Sequence, residues 1–172
     1  MSTAELEVTS VIVATGWTGA TVANLDTSDD SRATNGEAGE SINCEIDDVP
    51  GDFGSMNDVT LHAEARNQGT ISREQRITVE LLDSGDLTLE TFGPTAITAT
   101  DVVYNSSAFT RSDNAAAING WRLRVTITEG GGMAVDETVE IDHMWVTLDY
   151  NIGGGGIAVP VAFNHYAKRR RN

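Results

Sequence analysis

The sequence predicts an all-β fold, an antiparallel β-sandwich of jelly-roll or Greek-key type with an extended C-terminal arm. Polar and apolar residues alternate over several segments, as they do in antiparallel strands that have one face in a core and one in solvent. Residues that favour tight turns separate these segments, and no long window of helical period interrupts them. The spacing indicates about eight or nine strands, which is typical of a sandwich.

Six segments carry the strand signal. The first is rich in β-branched residues, and the fifth alternates most regularly, from Trp121 to Ile127. The sixth begins by alternating and is expected to end with apolar residues on both faces. The predicted strands span residues 5–13, 41–46, 58–67, 73–82, 121–128 and 138–150.

The connections between strands contain turn-forming and helix-capping residues. Glycine with asparagine, aspartate or glutamate marks turns at 67–70, 83–86, 119–120 and 129–132. Before the fifth strand, Ser112 or Asp113 is expected to cap one helical turn over residues 115–117.

Two longer acidic stretches, 16–40 and 47–58, are predicted to be loops. The first contains the calcium candidates Asp26, Asp29 and Asp30, since calcium takes six to eight oxygen ligands. Neither stretch has the spacing of a known calcium loop, and solvated carboxylates in Asx turns are the alternative. No other cofactor or metal is predicted.

Charge limits the possible partners. Residues 1–152 contain all 26 acidic and seven of the eleven basic side chains, a formal charge of −19. Such a surface disfavours nucleic acid, whose phosphates are bound by lysine and arginine. No stretch has the roughly 20 apolar residues of a membrane span. The start MSTAELEV lacks the pattern of a secretory signal, and a single cysteine allows no internal disulfide. We therefore expect no nucleic-acid partner, no membrane partner and assembly in a reducing cytoplasm.

Residues capable of catalysis do not form a recognisable motif. Cys44 lies on the apolar face of its strand, which predicts a core residue rather than a nucleophile. His62 falls on a polar face. His143 follows Asp142 directly, and adjacent strand residues point to opposite faces, so these two are not expected to act as a pair. The sequence predicts a protein that is not an enzyme.

The tryptophans bear on carbohydrate binding, which needs exposed aromatic rings. Trp121 and Trp145 lie in strand segments at positions that predict burial. Trp17, flanked by glycine, is the tryptophan expected to be exposed, beside the loop that holds Asp26 to Asp30.

The C-terminus differs from the rest of the chain. We divide the chain into a sandwich domain (1–152), a glycine linker (153–156) and a C-terminal arm (157–172). The arm has alternating apolar residues and then four basic ones, so we expect it to dock on a neighbouring subunit; a strand folding back on its own body is the alternative. The docking residues are Ile157, Val159, Val161, Phe163, Tyr166, Lys168, Arg169, Arg170 and Arg171.

Four segments resemble a β-sandwich module of tailed-bacteriophage virion proteins. They are GWTGATVANLDTSDDSRAT, SINCEIDDVPGDFGSMNDVTLHAEAR, WRLRVTIT and VEIDHMWVTLDY, within residues 5–150. The resemblance implies a virion component assembled in the host cytoplasm. We expect a capsid decoration (cement) protein, a homo-oligomer that contacts the major capsid protein or neighbouring subunits. The alternative is a tail- or fibre-associated module that binds carbohydrate or a host surface.

Overall fold

A computed structural model of the chain describes residues 1–35, 39–68, 75–129 and 138–153. Within them the chain forms nine β-strands, one short 3₁₀ turn at Val22–Asn24 and one short α-helix, α1, at Ala115–Ile118. No helix in these ranges is long and apolar enough to cross a membrane. The strands are β1 (Ser2–Ala14), β2 (Ala33–Asn35), β3 (Ser41–Ile46), β4 (Phe53–Gln68), β5 (Gln75–Leu82), β6 (Thr88–Ala96), β7 (Val102–Asn105), β8 (Arg122–Glu129) and β9 (Thr138–Ile152).

The strands form two antiparallel layers that share β1. Sheet A consists of the first half of β1, then β9, β4 and β7, with β2 also pairing with β9. Sheet B consists of the second half of β1, then β3, β8, β5 and β6. The chain changes sheet between most successive strands, which is the connectivity of jelly-roll and Greek-key sandwiches. The predicted fold class, an antiparallel β-sandwich, is confirmed.

β1 joins the two sheets because it bends. Its residues from Ser2 to Glu7 pair with β9, and those from Val8 to Ala14 pair with β3. The register shifts just after Val8, as it does at a β-bulge, which bends a strand and increases its twist. One strand can therefore belong to both layers.

The inward residues of both sheets form a single core. Leu61 and Val146 from sheet A and Leu123 and Val125 from sheet B are fully buried in one cluster. Trp121, at 2% exposure, is the largest of its fully buried side chains. This packing is what the alternation in the sequence predicts, because every second residue of a strand faces the same side.

Most strand predictions are confirmed, and several details are corrected. β3 has the predicted bounds, and the five other predicted strands are found with ends that differ by a few residues. β2, β6 and β7 were not predicted, and the two predicted loops are partly strand: β2 lies within 16–40, and β4 begins within 47–58. The helical turn is present, but Asn114 caps it by accepting a hydrogen bond from the Ala117 amide at 3.0 Å, so Ser112 and Asp113 are not the caps. Asp113 instead pairs with Arg111.

The end of β9 was predicted to be apolar on both faces, and this is wrong. Met144, Val146, Leu148 and Tyr150 face the core, while the residues between them face outward and are half-buried. The period-2 alternation therefore continues to Tyr150, and its outward positions belong to the surface of sheet A.

The outer face of sheet B is a set of polar pairs. The Arg124 guanidinium donates to the Glu80 carboxylate at 2.7 Å, and Arg122 donates to Asp86 at 2.8 Å. These hydrogen bonds lower the pKa of both acidic groups below their ordinary values. Arg122 and Arg124 are thus paired with carboxylates beside them.

Candidate functional site

Three aromatic rings meet on the outer face of sheet A. Trp145 and His143 are two residues apart on β9, so both project from the same face, and His62 lies directly opposite Trp145 on β4. The rings of His62 and Trp145 stack with centroids 4.5 Å apart and planes within 4°. Those of His143 and Trp145 stack at 4.1 Å and 19°. All three side chains are half-buried. We call these three residues the ring cluster.

The imidazole of His62 is held by hydrogen bonds on both nitrogens. Its Nδ1 lies 2.6 Å from Oδ1 of Asn105, and its Nε2 lies 2.8 Å from the hydroxyl of Thr147. A carbonyl oxygen can only accept, so Nδ1 carries the hydrogen and Nε2 of the neutral ring accepts from Thr147. Burial lowers the pKa of His62 below its ordinary 6.5, although the bond to Asn105 acts in the opposite direction. The ring is therefore a neutral, oriented group near pH 7.

The second imidazole is held by a carboxylate. Nε2 of His143 lies 2.6 Å from Oε2 of Glu7, on the neighbouring strand β1. Burial raises the pKa of the Glu7 carboxyl, and the hydrogen bond to His143 opposes this shift. His143 thus pairs with Glu7 and not with its neighbour Asp142, in agreement with the strand geometry.

Thr147, His62 and Asn105 have the order of a nucleophile, a base and an orienting group. The surroundings do not suit acyl transfer, because Glu5 lies opposite Thr147 in the register. A carboxylate there opposes the negative charge that develops on an attacked carbonyl. The arrangement is better suited to exchanging hydrogen bonds with a hydroxylated ligand.

A buried ion-pair network lies at the other end of the same face. The Glu140 carboxylate accepts from Nε of Arg66 at 2.5 Å and lies 3.6 Å from Nε of Arg32. Asp101 pairs with both arginines, at 2.6 Å and 3.3 Å, and Asp30 pairs with Arg32. Arg32 and Glu140 have side chains that are only 7% exposed. Arg32 and Arg66 are thus both bonded to carboxylates of this network.

The calcium candidates are not brought together. Asp29 accepts from the Ser31 amide at 2.8 Å, as in an Asx turn, and Asp30 pairs with Arg32. In the described ranges, no group of three or more histidine, cysteine or acidic residues could hold a metal ion. Asp142 is buried, and burial raises its pKa; one of its oxygens accepts from the Asp30 amide at 3.3 Å.

The second acidic stretch lies at one end of the sandwich. Asp47 and Asp48 line a cleft of about 480 Å³ together with Glu45, Trp121 and Arg122. Two other carboxylates of this stretch accept hydrogen bonds within the fold: Asp52 from the Tyr150 hydroxyl at 3.0 Å and Asp58 from the Thr110 hydroxyl at 3.0 Å. The cleft is thus lined by carboxylates and by one arginine that already pairs with Asp86.

Cys44 is fully buried, and burial raises the pKa of its thiol to about 12. The prediction that it is a core residue is confirmed. A thiol in this setting is not a nucleophile near neutral pH, because the thiolate is the reactive form.

The tryptophan predictions are partly wrong. Trp121 is in the core, as predicted. Trp17, expected to be exposed, is only 9% exposed and packs on the core, where its amide bonds the carbonyl of Ala14 at 3.3 Å. Trp145, expected in the core, lies on the outer face of sheet A. A signal for this was present, because Trp145 is in phase with the polar residues His143 and Thr147.

The residues predicted to dock a partner lie in 154–172, outside the described residues. Of the predicted linker, Gly153 is described: its amide donates to the Asp52 carbonyl at 2.8 Å. The backbone of Gly153 also lies so close to Gly54 that a side chain on Gly54 would have no room.

Comparison with known proteins assigns the chain to no family. No family profile matches it, and no curated protein matches it in sequence. Among solved structures, it is similar to the enzymatically active domain of bacteriophage CBA120 tailspike protein 4, with 13% identity and a TM-score of 0.41. That match covers 86% of this chain but only 19% of the tailspike chain.

Two carbohydrate-binding domains show similarity of the same order. A CBM4 structure matches with 16% identity and a TM-score of 0.37, over 70% of this chain and 76% of that one. The CBM22-1 xylan-binding domain of Paenibacillus barcinonensis Xyn10C matches with 11% identity and a TM-score of 0.32, over 86% of this chain and 94% of that one. At these values the similarity assigns no function.

Proposed function

We propose that the chain is a carbohydrate-binding module whose ligand lies on the outer face of sheet A, across the ring cluster. The observation that carries the proposal is the stacking of His62 and His143 on Trp145, with hydrogen-bonding groups on both sides of the rings. This was the alternative function that the sequence suggested, and the proposal moves it from the loops around Trp17 to the sheet.

The chemistry of this face matches that of a sugar. The ring faces that stack on one another are occupied, so the CH groups of a pyranose ring would contact the remaining faces and the edges of the three rings, which also provide an apolar surface. Carboxylate, amide and hydroxyl groups next to the rings can bind the sugar hydroxyls, and Glu7, Asn105 and Thr147 are in place for this. The network also fixes both imidazoles in advance, so binding does not have to order them.

The resemblance to phage virion proteins supports a location for such a module. On a tail or fibre, it would attach the particle to glycans of the host surface. This location is part of the proposal. In that role the module would bind the glycan and would not cleave it.

The test is a glycan array that contains neutral, acidic and amino-bearing oligosaccharides, probed with three proteins. We expect the wild-type chain to bind a subset, and Trp145→Ala to lose most of that binding. Arg124→Ala, on the outer face of sheet B, should bind like wild type. The proposal would be wrong if the wild type bound no glycan, or if both variants lost binding equally.

A second candidate function is the capsid decoration protein expected from the C-terminal sequence. One described feature favours contact between subunits. Beyond Glu7, β1 pairs only with β3 in the described parts of the chain, and Ile12 and Val13 near its end are 39% and 47% exposed. An open strand edge with apolar side chains can accept a strand from another chain.

Deletion of residues 153–172 tests this second function. We expect the truncated protein to keep the melting behaviour of a folded sandwich and to lose oligomerisation, as measured by sedimentation. Normal assembly of the truncated protein would rule out the arm as the docking element.

A further inference from the structure

The charges around the ring cluster have a single sign. Glu5 and Glu7 lie on β1 opposite Thr147 and Trp145, and Glu64 lies on β4 opposite His143. These positions place the three carboxylates on both sides of the outward residues of β9. Directly opposite side chains have their Cβ atoms about 5 Å apart, so a ligand on the rings would be within reach of all three.

No arginine or lysine within the described ranges pairs with these carboxylates. Arg66 is on the same face as Glu64, two residues along β4, but its guanidinium bonds Glu140 and Asp101. Arg32 bonds Asp30 and Asp101. Glu7 has His143 as its partner. Arg32 and Arg66 are therefore held at one end of the face. In the described ranges, no arginine or lysine bonds the carboxylates around the rings.

Such a face selects ligands by charge. Glu7 and Glu64 are half-buried, and Glu5 is exposed. A half-buried carboxylate interacts with a charge a few ångströms away more strongly than it would in bulk water, whereas solvent screens an exposed one. An anionic ligand would meet three like charges, and that repulsion excludes it. A ligand with an ammonium group would gain charge-assisted hydrogen bonds with the carboxylates, and aromatic rings also attract cations.

We infer that the ligand of this face is an amino-bearing glycan, one that contains unacetylated hexosamine, and that Glu5, Glu7 and Glu64 select it over neutral and acidic sugars. This inference rests on the proposed function and specifies its ligand class. It does not involve the arm or the location on a virion.

Three oligosaccharides of equal length separate the possibilities. A glucosamine tetramer is cationic, an N-acetylglucosamine tetramer has the same backbone without the charge, and a galacturonic acid tetramer is anionic. In calorimetric titrations we expect the glucosamine tetramer to bind about tenfold more tightly than the N-acetylated one, since tenfold corresponds to about 1.4 kcal/mol, the size of one charge-assisted hydrogen bond. The galacturonic acid tetramer should not bind.

Charge-removing variants separate local selection from general attraction. Any cationic sugar is attracted to a chain with a net charge of −15. The variants and their control must therefore change the net charge equally, and each removes one negative charge. Glu5→Gln and Glu64→Gln should each reduce the preference for the glucosamine tetramer by several-fold and leave affinity for the N-acetylated tetramer unchanged. Glu45→Gln, on the outer face of sheet B, is the matched control and should keep the preference.

The outcomes distinguish the inference from the proposed function. Equal affinity for the two hexosamine tetramers, or loss of the preference in Glu45→Gln as well, would overturn the inference and leave carbohydrate binding standing. Tighter binding of the galacturonic acid tetramer would also overturn it. If no glycan bound at all, the proposed function itself would fail.

Discussion

The outer faces of the two sheets follow the same alternation but differ in how their charges are compensated. On sheet B, Arg122 and Arg124 bond the carboxylates of Asp86 and Glu80 beside them, so these charges compensate one another within the face. On sheet A, Arg32 and Arg66 are held in the buried network around Glu140, and the carboxylates around the ring cluster have no arginine partner among the residues that the structure describes. A face whose polar groups bind one another has little left to offer a ligand, whereas the face of sheet A keeps both ring surface and acceptor oxygens.

The largest expected effect is a difference in the free energy of unfolding between variants of two tryptophans, Trp121 and Trp145, both predicted from the sequence to lie in the core. Trp121→Ala should lower the free energy of unfolding by about 3–5 kcal/mol, because it leaves a large cavity. Trp145→Ala should cost no more than about 1–2 kcal/mol, the loss of ring contacts on a half-buried face. Denaturant unfolding of both variants measures this. Equal losses would mean that Trp145 belongs to the core and that sheet A has no ring surface for a ligand.

The next largest expected effect is a difference in the free energy of unfolding between variants that break an ion pair on one face or on the other. Glu140→Gln should cost about 2–3 kcal/mol, because it removes the buried carboxylate between Arg32 and Arg66. It leaves these arginines only the more exposed carboxylates Asp101 and Asp30. Glu80→Gln removes the partner of Arg124 on sheet B, where both side chains reach solvent, and should cost about 0.5–1 kcal/mol. Thermal and denaturant unfolding at low salt would check the difference. A larger loss in Glu80→Gln would reverse the assignment of which face contains the buried network.

The smallest effect is a dependence on pH that comes from the ring cluster. Burial lowers the pKa of His62 in the folded chain, while Asn105 and the charge of Glu5 act in the opposite direction. The unfolded chain therefore binds this proton more readily, and His62 contributes stability that is lost as the pH falls below about 6.5 toward the folded pKa. Unfolding of wild type and His62→Gln should show a steeper loss in the wild type across this window. Identical pH profiles would mean that the imidazole is not buried against Trp145.

The sequence was sufficient to predict the fold class and six of the nine strands that the structure describes. β3 is found at its predicted residues because its alternation is strict and turns border it. β7 is only four residues long, too short for a periodic signal, and β6 contains Pro94, which argues against a strand when the sequence is read alone. These two strands depend on pairing with β4 and β5, which only the folded chain supplies.

The candidate site was harder to predict, because its residues are distant in sequence. His143 and Glu7 are hydrogen-bonded across 136 positions, and no local pattern indicates such a pair. Trp145 could have been placed outward from its phase in β9, but a tryptophan among apolar residues suggests burial. Trp17 was misplaced for the opposite reason: its loop is polar and rich in glycine, yet it folds back so that the indole packs on the core.

The most direct test of the central claim is to map the binding surface by NMR. A ¹⁵N-labelled sample would be titrated with the glucosamine tetramer and, separately, with the N-acetylated tetramer. We expect the largest shift changes at the indole of Trp145 and at backbone amides around His62 and Thr147, with the side chains of Arg122 and Arg124 unaffected. Shift changes that cluster instead at the cleft beside Asp47 and Trp121, or on the outer face of sheet B, would contradict the assignment of sheet A as the binding face.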